Sequence, residues 1–156
     1  MGLYQNLMQE PVSRLDLRKL IALPPATSIR TSVDAMRKTR VGCVTVVDEA
    51  GRPLGLFTER LLLQRLVADP GSLNDALGDH MNAPCACVTR DESITKLIDC
   101  MESRKLRFVC VVDEEGRAVA LAGQKGIVAF LAEQFPREVK VQAWSSKMHM
   151  DQREGA

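Results

Sequence analysis

The sequence predicts an α+β fold in which two copies of a β-α-β-β-α unit pack as a pseudo-twofold pair. Three observations predict it. First, the chain repeats itself: residues 44–52, Val-Thr-Val-Val-Asp-Glu-Ala-Gly-Arg, align without gaps with 109–117, and seven of nine positions are identical. Second, the 65-residue offset holds outside that block, matching Ser28, Ile29, Asp34, Met36, Leu56 and Leu66 with Ser93, Ile94, Asp99, Met101, Leu121 and Leu131. Third, hydrophobic spacing changes in the same order within each copy, from short apolar runs to helical spacing and back.

Each element follows in turn. A short apolar stretch, 19–23 or 85–88, predicts a first strand. A helix is expected over about 32–38 and about 94–103, where Val33 and Met36, then Ile94, Leu97, Ile98 and Met101, fall on one face. Ser93 suits the N-cap, and Asp91 and Glu92 place negative charge near the positive helix end. The runs 44–47 and 108–112 read as strands buried on both faces. Asp-Glu-x-Gly-Arg then turns the chain, with Gly51 or Gly116 free to take positive φ. Strands over 53–57 and 118–122 complete the hairpins, and helices over about 59–68 and 124–135 end the copies. Asp69-Pro70-Gly71 stops the first copy. Ser72, with Asp75 three residues on, predicts a linking helix to about His80.

This division gives an N-terminal arm at 1–16, repeats at 17–76 and 77–135, and a tail at 136–156 containing Trp144. Tyr4, Leu7 and Met8 predict one docked helical turn in the arm. A unit of about 60 residues has too little core to stand comfortably alone, so the copies should bury strand faces against each other.

Composition narrows the function. The 156 residues are 46% hydrophobic and 26% charged, which argues against disorder or a fibrous chain. Lys and Arg total 21 against 20 Asp and Glu, so no strongly basic nucleic-acid face is implied. Aromatics are 4%, too few for base stacking, and nucleic acid is not an expected partner. No apolar run nears the roughly 18 residues of a membrane helix. The start lacks a secretion signal, and Asn6 stands where myristoylation wants Ser or Thr. A cytoplasmic protein without membrane attachment is expected. The five cysteines, an odd number without Cys-x-x-Cys, fit reduced thiols. Cys85 and Cys87 share a strand face, and His80 is near in sequence. Their spacing is not that of a zinc site, and no metal site is expected.

The Val-Asp-x-x-Gly-Arg repeats, with Gly55-Leu56-Phe57-Thr58-Glu59-Arg60 after the first, resemble the CBS domain family in its tandem form, the Bateman module. The resemblance covers about 17–135. It implies a regulatory module, not an enzyme, that binds AMP, ADP or ATP between the copies, modulates a partner protein and commonly dimerises. It requires no cofactor. The phosphate would meet the start of the last helix of the first copy, where free N–H groups and the dipole favour an anion. Thr58 would cap that helix and offer a hydroxyl, and Arg60 adds a cation. Ala22, Val44, Thr45 and Val46 would lie against the base. In the second copy the counterparts are Cys110 for Thr45, Gly123 for Thr58 and Lys125 for Arg60.

Departures from the family pattern are specific. Leu61 stands where a ribose-binding Asp is expected, and Leu accepts no hydrogen bond. Ala120 replaces the strand Gly, and Gly126 takes the second Asp position. Gly123-Gln124-Lys125-Gly126 reads either as backbone N–H groups around an anion or as a glycine-weakened helix start. An alternative function follows, a scaffold without nucleotide that works through dimerisation or protein docking. Enzyme chemistry is not expected: His80 and His149 lack a nucleophile at motif spacing, and the paired carboxylates fall in turns. Two basic clusters, Arg37, Lys38 and Arg40, and Arg104, Lys105 and Arg107, match across the repeat and read as solvated faces.

Overall fold

A computed structural model describes residues 2–134. Each repeat forms one three-stranded sheet. After α1 (Leu3–Gln9), the first repeat contributes β1 (Ala22–Leu23), α2 (Ile29–Thr39), β2 (Cys43–Val47), β3 (Pro53–Thr58) and α3 (Glu59–Ala68). The second contributes β4 (Cys87–Thr89), α4 (Ile94–Arg104), β5 (Phe108–Val112), β6 (Ala118–Gly123) and α5 (Gln124–Gln134). In both sheets the short first strand pairs in parallel with a central strand, which pairs antiparallel with the third. The α+β architecture and the order β-α-β-β-α, twice, are those expected.

The local code explains the symmetry. Ser28 and Ser93 cap α2 and α4, their hydroxyls accepting the Thr31 and Lys96 N–H groups at 3.2 Å. Each such cap contributes about 1 kcal/mol. Because Ser28 caps it, α2 begins at Ile29, earlier than periodicity alone indicates. In the hairpins, Asp48 Oδ1 accepts the Ala50 and Arg52 N–H groups at 2.9 Å, and Asp113 does the same for Glu115 and Arg117. Gly51 and Gly116 close these turns at φ 81° and 78°. The repeated Asp-Glu-x-Gly-Arg is therefore a turn device in which the carboxylate satisfies two backbone donors. Arg117 additionally pairs with Asp113 at 3.0 Å.

The expected linking helix does not form. Two 3-10 turns replace it, Pro70–Asn74 and Leu77–Asp79, separated by extended residues at Asp75 and Ala76. The break has a cause. The Ile29 N–H donates to the Asp75 carbonyl at 2.9 Å, and the Leu77 N–H to the Thr27 carbonyl at 2.8 Å. Asp75 also accepts from His80 at 2.8 Å, so its side chain serves the turn rather than a capping box.

The arm obeys the same rule one repeat away. The turn Val12–Arg14 is the register equivalent of Leu77–Asp79. The Val12 N–H donates to the Glu92 carbonyl at 2.8 Å, and Ile94 donates to the Glu10 carbonyl at 2.9 Å. Each of these turns thus docks on one β-α junction: the arm on the second repeat, the connector on the first. Arg18 and Leu121 exchange backbone bonds at 2.7 and 3.2 Å, as Asn82 and Leu56 do at 3.0 and 2.8 Å. The helical turn expected near Tyr4 is α1, and it packs on α4.

Two apolar clusters form. One gathers Leu7, Val12, Leu15, Val109, Val111 and α4. The other gathers the first repeat together with Cys110 and Leu121 of the second sheet, so the sheets share a buried interface. No helix among the described residues is long and apolar enough to cross a membrane. The expectations for the tail, including Trp144, and for the end of the last helix at 135 lie outside the described residues.

Candidate functional site

A cavity of about 260 Å³ opens where α3 starts. Thr58, Arg60 and Leu61 line one wall, and Arg104, Lys105 and Arg107 of the second repeat face them. The helix start is well built. The Thr58 hydroxyl accepts the Leu61 N–H at 3.3 Å, and the Gly42 carbonyl accepts the Glu59 N–H at 3.0 Å. The positive end of α3 therefore borders the cavity. Four cations and one carboxylate, Glu59, surround the space, and among the described residues none of the four is in an ion pair. The Arg104 guanidinium is aimed by a 2.6 Å bond to the Pro84 carbonyl. Chemically the lining combines cations and a helix start, which favour an anion, with the apolar side chains of Leu56, Leu61, Leu106 and Phe108.

The nine expected site residues fall into four groups. Thr58 and Arg60 line the cavity. Val44, Thr45, Val46 and Cys110 are fully buried core, and the Thr45 hydroxyl finds no hydrogen-bond partner among the described residues. Ala22 pairs with Thr45 on the edge strand and is exposed. Gly123 and Lys125 lie at the start of α5, away from this cavity. There the Arg107 carbonyl accepts the Gln124 N–H at 3.1 Å, the counterpart of Gly42 with Glu59.

Gly126 has a steric role. A Cβ at this position would stand 2.9 Å from the Asp16 carbonyl oxygen, so the glycine admits the arm's backbone. An acceptor oxygen beside the helix start opposes an anion there. Arg18, held by the arm on β6, reaches the Arg40 carbonyl at 3.5 Å and joins the first basic cluster to the second repeat.

Sequence reasoning missed that Arg104, Lys105 and Arg107 line the cavity. Their signal was present as a basic cluster after α4, but only the packing of the copies carries it to Thr58. It also missed a grouping of thiols. Cys85 and Cys87 do not meet His80, which lies between Asp75 and Arg65 at 2.8 and 3.4 Å. They meet Cys110 of the adjacent strand instead. The Cys110 and Cys85 thiols stabilise the Cys87 thiolate, and Arg104 acts the same way, so the Cys87 thiol is held below its usual range. Burial pushes Cys43 up, and Cys85 adds to this.

The fold and the cavity define a two-repeat module with a cation-lined cleft between its copies. The sequence profile of the CBS domain family matches residues 12–68 and 77–133, and the chain belongs to that family. Its solved structural neighbours include a CBS-domain protein from Agrobacterium tumefaciens, 25% identical, TM-score 0.70, covering 82% of this chain and 98% of that one. Another is a CBS domain protein from Pyrobaculum aerophilum complexed with AMP, 25% identical, TM-score 0.68, covering 75% and 89%. An uncharacterized protein of Methanopyrus kandleri is 25% identical over 118 residues, 75% of this chain, and the match spans 59% of that relative's length.

Proposed function

We propose that the chain is a regulatory module that binds an adenine nucleotide at the start of α3 and transmits occupancy to a partner protein. The observation that carries this is the convergence of the Thr58-capped helix start with Arg60, Arg104, Lys105 and Arg107 around one cavity. Phosphate would be held by the four cations and the helix end. The apolar side chains of the lining would take the base. A cavity of about 260 Å³ is small for a ligand pocket, which favours a mononucleotide such as AMP over a dinucleotide. The AMP complex of the Pyrobaculum relative supports the same class. Because the cavity is shared by both repeats, a ligand that binds it shifts their relative packing, and this differential affinity is what a partner would read. The module acts in the cytoplasm, where its five free thiols stay reduced. It requires no cofactor and performs no catalysis of its own.

The test is thermal unfolding of the full chain with AMP, ADP and ATP. At 100 times Kd a ligand stabilises by about 2.7 kcal/mol, a rise in Tm of roughly 5–10 °C. Arg60→Ala and Arg107→Ala should weaken the shift more than Lys125→Ala. No shift at millimolar nucleotide would sink this reading.

A second reading has its own observation. Leu63, Val67 and Val128 are 63%, 88% and 64% exposed, and a hollow of about 510 Å³ between α4 and α5 combines Ile98, Leu106, Ile127 and Val128 with Glu102, Lys105 and Arg107 at its walls. Such apolar helix surface suits a second copy of the chain. A homodimer is therefore proposed under either function, and it is one of the two forms of the scaffold alternative, the other being docking of another protein. Sedimentation of Val67→Asp should show a monomer where the native chain is a dimer. A native monomer would remove the dimer and the dimerisation form of the scaffold reading.

A further inference from the structure

We propose that Cys85, Cys87 and Cys110 form a three-thiolate site for a soft, monovalent d10 metal ion, best represented by copper(I). Their sulfur atoms lie within 4.8 Å of one another. The backbone explains the grouping. Cys87 on β4 is the register partner of Cys110 on β5, and Cys85 lies two residues before Cys87, so the three side chains leave one face of the sheet. A metal with bonds to sulfur of about 2.3 Å sets three sulfurs about 4 Å apart in a plane. The cluster therefore needs to contract by less than about 1 Å.

The donor set selects the ion. Among the described residues no histidine or carboxylate joins the cluster. Three sulfurs without a nitrogen or oxygen donor suit a soft ion content with three ligands, whereas zinc prefers a closed tetrahedron of four. Burial is graded from Cys110, fully buried, through half-buried Cys85 to exposed Cys87 on the edge strand, which gives an entry path. Binding releases to solvent whichever thiol protons remain and leaves an excess negative charge on the sulfurs. Arg104, close enough to act on Cys87 and anchored on Pro84, offsets part of that charge. Cys43, buried in the first sheet, belongs to the same apolar cluster as Cys110, against which Cys85 packs. The fifth cysteine, Cys100, packs in the other cluster and supplies a control.

The experiment titrates the reduced full chain, without oxygen, with copper(I) buffered by bathocuproine disulfonate, and with zinc(II) in parallel. The expected result is one copper retained per chain, with a near-ultraviolet thiolate-to-copper band. Affinity should fall at least about tenfold in Cys85→Ser and in Cys87→Ser, and stay unchanged in Cys100→Ser. Cys110→Ser is avoided because that side chain is core. Complete loss of copper to the chelator, or uptake unchanged in both serine variants, would overturn the site. Tighter retention of zinc than of copper would overturn the ion assigned. Nucleotide binding is scored separately by the AMP shift, so neither proposal's failure counts against the other.

Discussion

In the first repeat the last helix starts at Thr58, with a hydroxyl cap, Arg60 at the second helical position and an open cavity in front. In the second, the same helix follows Gly123, which offers no side chain, and the arm's Asp16 carbonyl sits against Gly126. The backbones around the two helix starts are near copies, down to the Gly42–Glu59 and Arg107–Gln124 bonds at 3.0 and 3.1 Å. What differs is the occupant of the cleft. The lesson is that duplication conserves the turn-and-strand chemistry, which every copy needs to fold, and frees the helix-start residues to specialise. One further asymmetry has the same origin. The Ala118 N–H donates to the Gly51 carbonyl at 2.9 Å across the repeats, while its counterpart Pro53 has no N–H to return the contact.

Three experiments would break or sharpen this contrast. The largest effect is expected from Leu61→Asp, which places a ribose acceptor in the open cavity. AMP should bind roughly 10- to 100-fold more tightly, equivalent to about 1.5–3 kcal/mol for a charged hydrogen bond. The matched Gly126→Asp should create no second site. Calorimetric titration of both variants decides it, and equal gains would erase the distinction between the clefts.

Next comes Gly126→Leu, which gives the second repeat the first repeat's residue. Its Cβ meets the Asp16 carbonyl, and overpacking of this kind costs about 1–3 kcal/mol. The control Lys125→Leu places the same side chain one residue earlier on α5, at an exposed position, and should stay within about 0.5 kcal/mol of the native chain. Denaturant melts of the two variants should therefore separate. Coincident melts would mean that the arm does not press on α5.

The smallest effect is a pH response confined to one repeat. Lys96 beside the Glu92 carboxylate, and the Thr89 N–H at 2.8 Å, hold its pKa below the usual range, against a smaller opposing effect of burial. The first repeat has Thr27 at that position and no such group. A depressed carboxylate contributes stability that is present above its unfolded pKa, about 4.3, and is lost as pH falls through the lower folded value. Glu92→Gln should lower stability at neutral pH and converge on the native chain in acid, so that the acid limb of the profile flattens. An unchanged acid limb would show that the β4–α4 turn is held by its backbone bonds alone.

Much of the fold was legible in the residues because its determinants are local. Ser28 and Ser93 as caps, the Asp-Glu-x-Gly-Arg turns and the valine strands act within a few residues, and their repetition at one offset exposed the duplication. Thr58 and Arg60 were legible for the same reason, since a helix N-terminus is defined by its own cap. The linking segment was misread because Ser72 and Asp75 imitate a capping box. The backbone of Asp75 and Leu77 is claimed instead by Ile29 and Thr27, far away in sequence.

By itself the sequence determined the two-copy α+β plan, its turns, its caps and the anion-favouring start of α3. Tertiary structure alone decided that Arg104, Lys105 and Arg107 face Thr58, that the arm covers Gly126, and that Cys110 meets Cys85 and Cys87. The physical reason is separation along the chain. Caps and turns are settled by hydrogen bonds over three or four residues. A cleft between repeats, or a cluster across strands, exists only once buried apolar surface has brought distant segments together.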